Sequence, residues 1–176
     1  MSLLKQQLQK VCKTGDFILT SGKKTDFYMD VKSAMFDAPT FVAMCSALYG
    51  TIEEQFPEAQ SVGGMELGSV PLSSGMTIVS LIFGYNQPLG HFVIRKEKRS
   101  HGMGNQIEGL ENVEGKKVVI VDDVLTTGGS IVKVYDILKD QCDVLGAVVA
   151  VDRLDCDKTK LPLKVASLYT RDDLLI

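Results

Sequence analysis

Short apolar runs alternate along the chain with longer segments in which apolar residues recur every three or four positions. Lys117–Val121 and Val144–Val151 are rich in valine and isoleucine and predict strands. Ala38–Phe56 and Ser130–Asp140 have helical spacing and predict helices. Because strands alternate with helices, the pattern predicts an α/β fold with a mainly parallel central sheet. Val144–Val151 is almost continuously apolar, which predicts a strand covered on both faces.

The same pattern, with glycine and proline as breaks, predicts the remaining elements. A first helix ends at Gly15, and Pro71 suits the first turn of a helix that runs to Gly84. Further strands are predicted at Asp26–Val31, Ser61–Gly63 and His91–Ile94. The 176 residues show no internal repeat or interdomain linker, so we expect one domain over residues 1–176.

Composition narrows the classes of function. A net charge of −3 argues against nucleic-acid and membrane partners, because such contacts need clustered positive surface. No apolar run is long enough to span a bilayer, and MSLLKQQLQK lacks the apolar centre of a signal peptide, so we expect a cytoplasmic protein. Cys12, Cys45, Cys142 and Cys156 lie far apart, which favours buried thiols over a zinc site or a disulfide framework.

Two adjacent acids, Asp122 and Asp123, end the apolar run that begins at Lys117. In open α/β sheets, ligands bind beyond the carboxyl ends of strands, which places this acid pair for function. Neighbouring carboxylates repel each other and lose hydration there, so they need a cation or donors such as ligand hydroxyls. A Mg²⁺ ion shared with a substrate phosphate is a suitable cation.

After Val124 and Leu125, the five residues Thr126–Ser130 supply hydroxyls, backbone N–H groups beside two glycines and the start of a helix. Helix N-termini bind anions, so the acid pair and this TTGGS turn together indicate a phosphorylated sugar as ligand. Simpler interpretations stay open at this point: an acid often marks where a strand leaves the core, and TTGG can be an ordinary turn before a serine N-cap. No GxxxxGK[ST] loop occurs, which argues against a P-loop nucleotide site.

The thirteen residues VVIVDDVLTTGGS, Val118–Ser130, resemble the phosphoribosyl-pyrophosphate motif of type I phosphoribosyltransferases. The resemblance implies the fold of that family: a mainly parallel central sheet flanked by helices, with a small hood from the N-terminal and C-terminal segments. It also implies that Asp122 and Asp123 meet the ribose 2′- and 3′-hydroxyls and that Thr126–Ser130 wrap the 5′-phosphate.

Three further segments resemble the orotate phosphoribosyltransferases. They are Ile18–Asp30, the stretch RKEKRSHG at Arg95–Gly102 with Ile107–Gly109 after it, and Val151–Arg153, where the family places an arginine that binds the orotate carboxylate. Arg95–Gly102, called the cationic segment below, has four fixed positive charges and one negative charge, as suits a lid over pyrophosphate.

The family match implies a set of site residues. The implied catalytic residues are Lys98, Arg99, His101 and Asp123, and the implied substrate-binding residues are Arg95, Lys96, Asp122, Asp123, Val124, Leu125, Thr126, Thr127, Gly128, Gly129, Ser130, Arg153 and Lys24. Lys24 is equally well explained as an exposed turn lysine. Mg²⁺ is expected to be held mainly by the substrate, with Asp123 as a candidate ligand.

The sequence departs from many bacterial members of the family at three places. Thr20 stands where a lysine contacts orotate, Arg99 stands where a lysine is usual, and the loop Gly64–Pro71 lacks a lysine offered to pyrophosphate. In place of the missing loop lysine, backbone N–H groups around Glu66–Ser69 are expected to bind the pyrophosphate.

The resemblance implies transfer of ribosyl 5-phosphate from phosphoribosyl pyrophosphate to N1 of orotate in pyrimidine biosynthesis. It also implies a homodimer in which the cationic segment reaches the neighbouring site. Two alternatives stay open: a phosphoribosyltransferase for another base, motivated by Thr20, and a non-catalytic regulator that senses phosphoribosyl pyrophosphate. The residues before Gly15 are too few for the DNA-binding helix-turn-helix that such regulators add.

Overall fold

The computed structural model describes residues 2–18, 24–83, 88–97 and 106–175. The strands are β1 (Cys12–Ile18), β2 (Lys24–Met29), β3 (Ser61–Met65), β4 (Gly90–Ile94), β5 (Ile107–Glu108), β6 (Lys117–Leu125), β7 (Asp143–Asp152) and β8 (Val165–Thr170). The α-helices are α1 (Leu3–Lys10), α2 (Val31–Ala34), α3 (Ala38–Gln55), α4 (Ser69–Phe83), α5 (Gly129–Leu138) and α6 (Arg171–Leu174).

Within these ranges, six strands form the central sheet in the order β5-β4-β3-β6-β7-β8. β3 runs parallel to β4 and β6, and β7 runs parallel to β6 and β8, whereas β5 is antiparallel to β4 at one edge. The prediction of a mainly parallel α/β sheet is therefore confirmed. The carboxyl ends of β3, β4, β6 and β7 meet at one edge of the sheet, which is where ligands bind in such folds.

Alternating residues of β6 face the two layers of the core. Val119 and Val121 belong to the cluster packed under α3 and α4, which includes Leu48 and Leu72. Val118 and Ile120 belong to the other cluster, which includes residues of α5 such as Val134. Both faces of the strand are therefore covered by helices, which explains why its sequence is continuously apolar rather than alternating.

The strand that carries the acids is longer than the sequence analysis predicted. β6 does not end at Val121 but continues through the acid pair to Leu125. The extension is paired with the ten-residue β7, from Asp122 opposite Val149 to Leu125 opposite Asp152. β7 pairs with Asp122 and with Val124 and Leu125, the residues on either side of Asp123, so both charged residues remain in strand conformation.

The two ends of the described chain lie close together but contribute differently to the fold. β1 and β2 form a separate antiparallel sheet with an irregular register between Thr14 and Phe17. At the C-terminal end, β8 pairs with β7 and forms the edge of the central sheet opposite β5. The Oγ of Ser2 and the Oη of Tyr169 are 2.9 Å apart and link the two ends.

The helices of the described residues are short or polar enough that none of them has the length and apolar character needed to cross a membrane.

Candidate active site

The acid pair lies near the carboxyl end of β6. Asp123 is only 7% exposed, and its N–H donates to Asp122 Oδ1 over 2.9 Å. The ammonium group of Lys32, on α2, lies 3.1 Å from Asp123 Oδ2. The Asp122 carboxylate thus accepts a backbone hydrogen bond, and the Asp123 carboxylate is paired with a lysine.

Burial shifts the pKa values of this cluster. The pKa of Asp122 is raised to about 7, first because the carboxyl loses water and second because the Asp123 charge lies beside it. Burial lowers the pKa of Lys32, but the carboxylates of Asp123, Asp122 and Asp30 together outweigh that effect, and the pKa is raised overall. Any ligand that supplies hydrogen-bond donors or positive charge therefore stabilises the ionised form of the acid pair.

The loop between β3 and α4, Glu66–Gly68, packs directly against the acids. A Cβ on Gly68 would lie 2.6 Å from Asp123 Oδ1 and 3.1 Å from Asp122 Oδ1, so only glycine allows this approach. Glu66 anchors the loop to the end of β4, because its N–H donates to Ile94 O and its Oε1 accepts from the N–H of Lys96, over 3.0 and 2.9 Å.

The TTGGS turn connects β6 to α5. Gly128 has φ +78°, a conformation that favours glycine, and no side chain at this N-cap position bonds to the first turn of the helix. A Cβ on Gly128 would meet Leu161 Cδ2 at 2.7 Å and Cys156 Sγ at 3.3 Å. The turn is therefore supported from behind by two side chains that follow β7, while N–H groups of α5 remain available to a ligand.

A cavity of about 480 Å³ opens between the acid pair, the Glu66–Gly68 loop and the segment after β2. Seven predicted site residues line it: Lys96, Asp122, Asp123, Val124, Thr126, Ser130 and Arg153. The other predicted residues of β6 and the turn, Leu125, Thr127, Gly128 and Gly129, do not belong to the lining.

Arg95, also predicted to bind substrate, is not brought to this cavity. Its Nε donates to Glu108 Oε1 over 2.5 Å, and its N–H donates to Gln106 O over 2.9 Å. These bonds link Arg95, the first residue of the cationic segment, to Gln106 and Glu108. Its contact with substrate stays a prediction.

Arg153 lies in the cavity wall with its side chain almost fully buried. Its Nη2 is 3.1 Å from Asp155 Oδ2 and 3.5 Å from the carbonyl oxygen of Phe27. The preceding residue, Asp152, is also buried and forms an ion pair with Lys158 over 2.7 Å. The end of β7 is thus fixed by ion pairs, which orients the arginine predicted to bind the base.

Several predicted residues lie outside the described ranges. These are Thr20, Lys98, Arg99 and His101; the backbone of Lys24 opens β2, but its side chain is also outside them.

Sequence analysis missed Lys32 and Asp30 in the cavity wall. The predicted strand Asp26–Val31 ran past its observed end at Met29, so Lys32 was assigned to a connecting segment. The available signal was Asp30 as an N-cap before Val31 and Ala34, the two apolar residues of a short helix.

A separate cavity of about 510 Å³ lies at the opposite edge of the sheet, against the start of β6 and the residues before β3. Glu58 in its wall is paired with Lys117 over 2.7 Å. Since this cavity is remote from the acid pair and from the carboxyl ends of the strands, we assign the candidate active site to the first cavity.

Comparison with known proteins first defines the class. Residues 62–168, more than half of the chain, match the model of the phosphoribosyl transferase domain, so the fold is that of a phosphoribosyltransferase.

Curated relatives and a solved structure then give the particular family. The orotate phosphoribosyltransferase of Methanopyrus kandleri is 37% identical over 92% of this chain and 84% of its own length, and that of Pyrococcus furiosus is 35% identical over 95% and 88%. The crystal structure of Mycobacterium tuberculosis orotate phosphoribosyltransferase is 25% identical and has a TM-score of 0.80 over 98% of this chain and 97% of its own. The chain belongs to the orotate phosphoribosyltransferase family.

The raised pKa of Asp122 predicts a specific dependence of stability on pH. From the ordinary value of 3.8 up to about 7, the folded protein holds a proton that the unfolded chain has released, so the free energy of unfolding falls as the pH rises through this window. Asp122→Asn removes the titrating carboxyl and with it this fall in the free energy of unfolding. Between pH 5 and pH 8, in buffer without divalent cations, we expect the variant to gain about 2 kcal/mol relative to wild type in urea unfolding.

Asp140→Asn is the matched control, because that carboxyl is exposed after α5. Its unfolding free energy should follow wild type across the same pH range. Parallel pH curves for wild type and Asp122→Asn would contradict the account of the buried acid.

Proposed function

We propose that this chain transfers the ribosyl 5-phosphate group from phosphoribosyl pyrophosphate to N1 of orotate. The bond from ribose C1 to the pyrophosphate oxygen breaks, the bond from C1 to N1 forms as N1 releases its proton, and the products are orotidine 5′-monophosphate and pyrophosphate. The observation that carries the proposal is the acid pair near the end of β6, closed on one side by Gly68 and separated from the TTGGS turn only by Val124 and Leu125.

The acid pair is proposed to receive the ribose. Its carboxylates are acceptors in a partly dry setting, and the 2′- and 3′-hydroxyls are neutral donors that satisfy them without adding charge. The TTGGS turn, with Thr126 and Ser130 on the cavity, is proposed to receive the 5′-phosphate through hydroxyls and backbone N–H groups.

The leaving pyrophosphate is proposed to lie between the Glu66–Gly68 loop and the cationic segment. Lys96 already lines the cavity, and Lys98, Arg99 and His101 follow it in the sequence. As C1 takes on oxocarbenium character, negative charge grows on the leaving oxygen, and cations aimed at it lower the barrier. His101 is proposed to donate a proton to this group.

The base is proposed to lie near Arg153, whose guanidinium suits the orotate carboxylate. Thr20 stands in the sequence where many bacterial members of the family have a lysine that contacts orotate. That substitution favours a second candidate, a phosphoribosyltransferase for another nucleobase, which a substrate panel distinguishes.

Mg²⁺ is the proposed cofactor, and the residues present fit it in one arrangement. Among the described residues, no group of three or more histidine, cysteine, aspartate or glutamate side chains could hold a metal ion. The acid pair, with its need for positive charge, therefore fits an ion that takes most ligands from the oxygens of the donor substrate and adds a carboxylate such as Asp123. When bound, the ion would neutralise charge on the pyrophosphate.

A steady-state assay with orotate, uracil, adenine, guanine and hypoxanthine tests the activity. We expect pyrophosphate release with orotate and Mg²⁺, and a kcat/KM for orotate at least about ten-fold above every other base, since only orotate among these bases offers a carboxylate to the Arg153 guanidinium. Arg153→Lys should lower kcat/KM for orotate because a single ammonium group cannot form the paired contacts of a guanidinium. Faster turnover of another base would establish the second candidate instead.

We also propose that the enzyme is a homodimer. Ile78, Leu81, Ile82 and Phe83 on α4 are between 59% and 71% exposed, and the whole helix contains no charged residue. An uncharged apolar surface of this kind is suited to its own copy across a two-fold axis, because no charge is buried on either side. The cationic segment would then reach the site of the partner subunit.

Leu81→Asp combined with Ile82→Asp tests this surface by light scattering. We expect the variant to be a monomer with strongly reduced kcat, because two carboxylates would be buried without partners. Leu3→Asp is the control, since Leu3 is a similarly exposed apolar residue on α1 and should leave the assembly unchanged. A double variant that remains dimeric would move the interface elsewhere.

A further inference from the structure

We infer that Lys32 is a positioning residue for the donor substrate: it acts as the built-in counter-ion that holds the Asp123 carboxylate where the ribose is met. The inference rests on the proposed function. It concerns a residue that lies outside every motif used in the sequence analysis, in the segment between β2 and α3.

The backbone of Lys32 is fixed by its neighbours. Val31 and Ala34, the first and last residues of α2, are buried in the core cluster under α3 and α4. Asp30 caps the helix, because its Oδ1 accepts from the N–H of Ser33 over 3.3 Å, and its carbonyl oxygen accepts from Ser33 Oγ over 2.8 Å. The side chain of Lys32 therefore extends from a fixed backbone position beside the cavity.

The ion pair made by Lys32 is asymmetric. Its ammonium lies 3.1 Å from Asp123 Oδ2, but the lysine side chain is 52% exposed whereas the aspartate side chain is 11% exposed. A nearly buried carboxylate needs a partner to stay ordered, while a half-exposed ammonium has three N–H donors and uses one here. Because the Lys32 side chain is half-exposed, its remaining donors are accessible to water or to an entering ligand.

The charges around the cavity explain why such a counter-ion is needed. Asp30, Glu66, Asp122 and Asp123 all contribute to the described lining, and the proposed donor substrate carries a phosphate and a pyrophosphate. Arg153, a cation of the same wall, lies 3.1 Å from Asp155 Oδ2 and is engaged with that acid. Lys32 offsets the repulsion between the acid pair and the donor at the point where the two must meet.

This role predicts an effect on binding rather than on the chemical step. The ribose hydroxyls meet the acid pair both before and during bond cleavage, so a group that only positions Asp123 stabilises the ground state and the transition state equally. Loss of Lys32 should therefore weaken donor binding and raise the KM for the donor, with little change in kcat.

Lys32→Met and Lys32→Arg test the inference in the full chain. We expect Lys32→Met to weaken phosphoribosyl pyrophosphate binding about ten-fold in calorimetry with saturating Mg²⁺, to raise the donor KM in parallel, and to leave kcat and the orotate KM within about two-fold of wild type. Lys32→Arg keeps the charge at a similar reach and should recover most of the affinity.

Lys139→Met is the matched control. Lys139 is also partly exposed and ion-paired, with its ammonium 2.8 Å from Asp136 Oδ1, but that pair lies at the end of α5 and away from the cavity. Its donor affinity should equal that of wild type, so a loss confined to Lys32→Met is not a general effect of removing a paired lysine.

Each other result overturns the inference. Wild-type donor affinity in Lys32→Met would show that Asp123 needs no counter-ion, and a loss of kcat at unchanged affinity would place Lys32 in the chemical step. If Lys32→Met does not fold, as judged by urea unfolding, Lys32→Gln takes its place as the uncharged variant: weakened donor binding at unchanged kcat supports the role, and wild-type donor binding contradicts it. A wild-type protein that does not bind the donor would instead refute the proposed function.

Discussion

Two carboxylates held side by side in a partly dry strand end are the constraint around which this site is built. Asp122 and Asp123 are kept in strand conformation by β7, and burial raises the pKa of Asp122 to about 7. Such a pair is unfavourable unless donors or positive charge meet it. The molecule meets this need with a hydrogen bond from the Asp123 N–H and with the ammonium group of Lys32, and it leaves one side open to the cavity.

The elements around the acid pair follow from the same requirement. Gly68 brings the backbone of the Glu66–Gly68 loop against the carboxylates, where any Cβ would collide with them. Gly128 lets the chain turn sharply into α5, so that an anion held by the helix start is a short distance along the chain from the acids. Acceptors for neutral hydroxyls and donors for a phosphate thus lie in consecutive residues of one strand, turn and helix. A ribose 5-phosphate unit presents both kinds of group together.

Local sequence predicted the parts of the site that depend on neighbours along the chain. The strand Val118–Val121, the acids and the TTGGS turn were recognisable because their chemistry lies within thirteen residues. Contacts between distant segments were not predictable in this way. The role of Lys32 depends on how α2 packs against α1 and β6, and the pairing of Arg95 with Glu108 depends on the β4 and β5 ladder. β1 was missed because its polar residues break the apolar pattern, and β8 because its six residues are only partly buried.

The central claim is that the acid pair binds the ribose of the donor substrate. Calorimetry of the Asp122→Asn/Asp123→Asn double variant with phosphoribosyl pyrophosphate and with pyrophosphate, both with Mg²⁺, tests it most directly. Pyrophosphate has no ribose, so it separates lost hydroxyl contacts from altered charge. The account predicts that the variant binds phosphoribosyl pyrophosphate about a hundred-fold more weakly, while its affinity for pyrophosphate is unchanged or increased. Unchanged affinity for phosphoribosyl pyrophosphate, or an equal loss for both ligands, would contradict it.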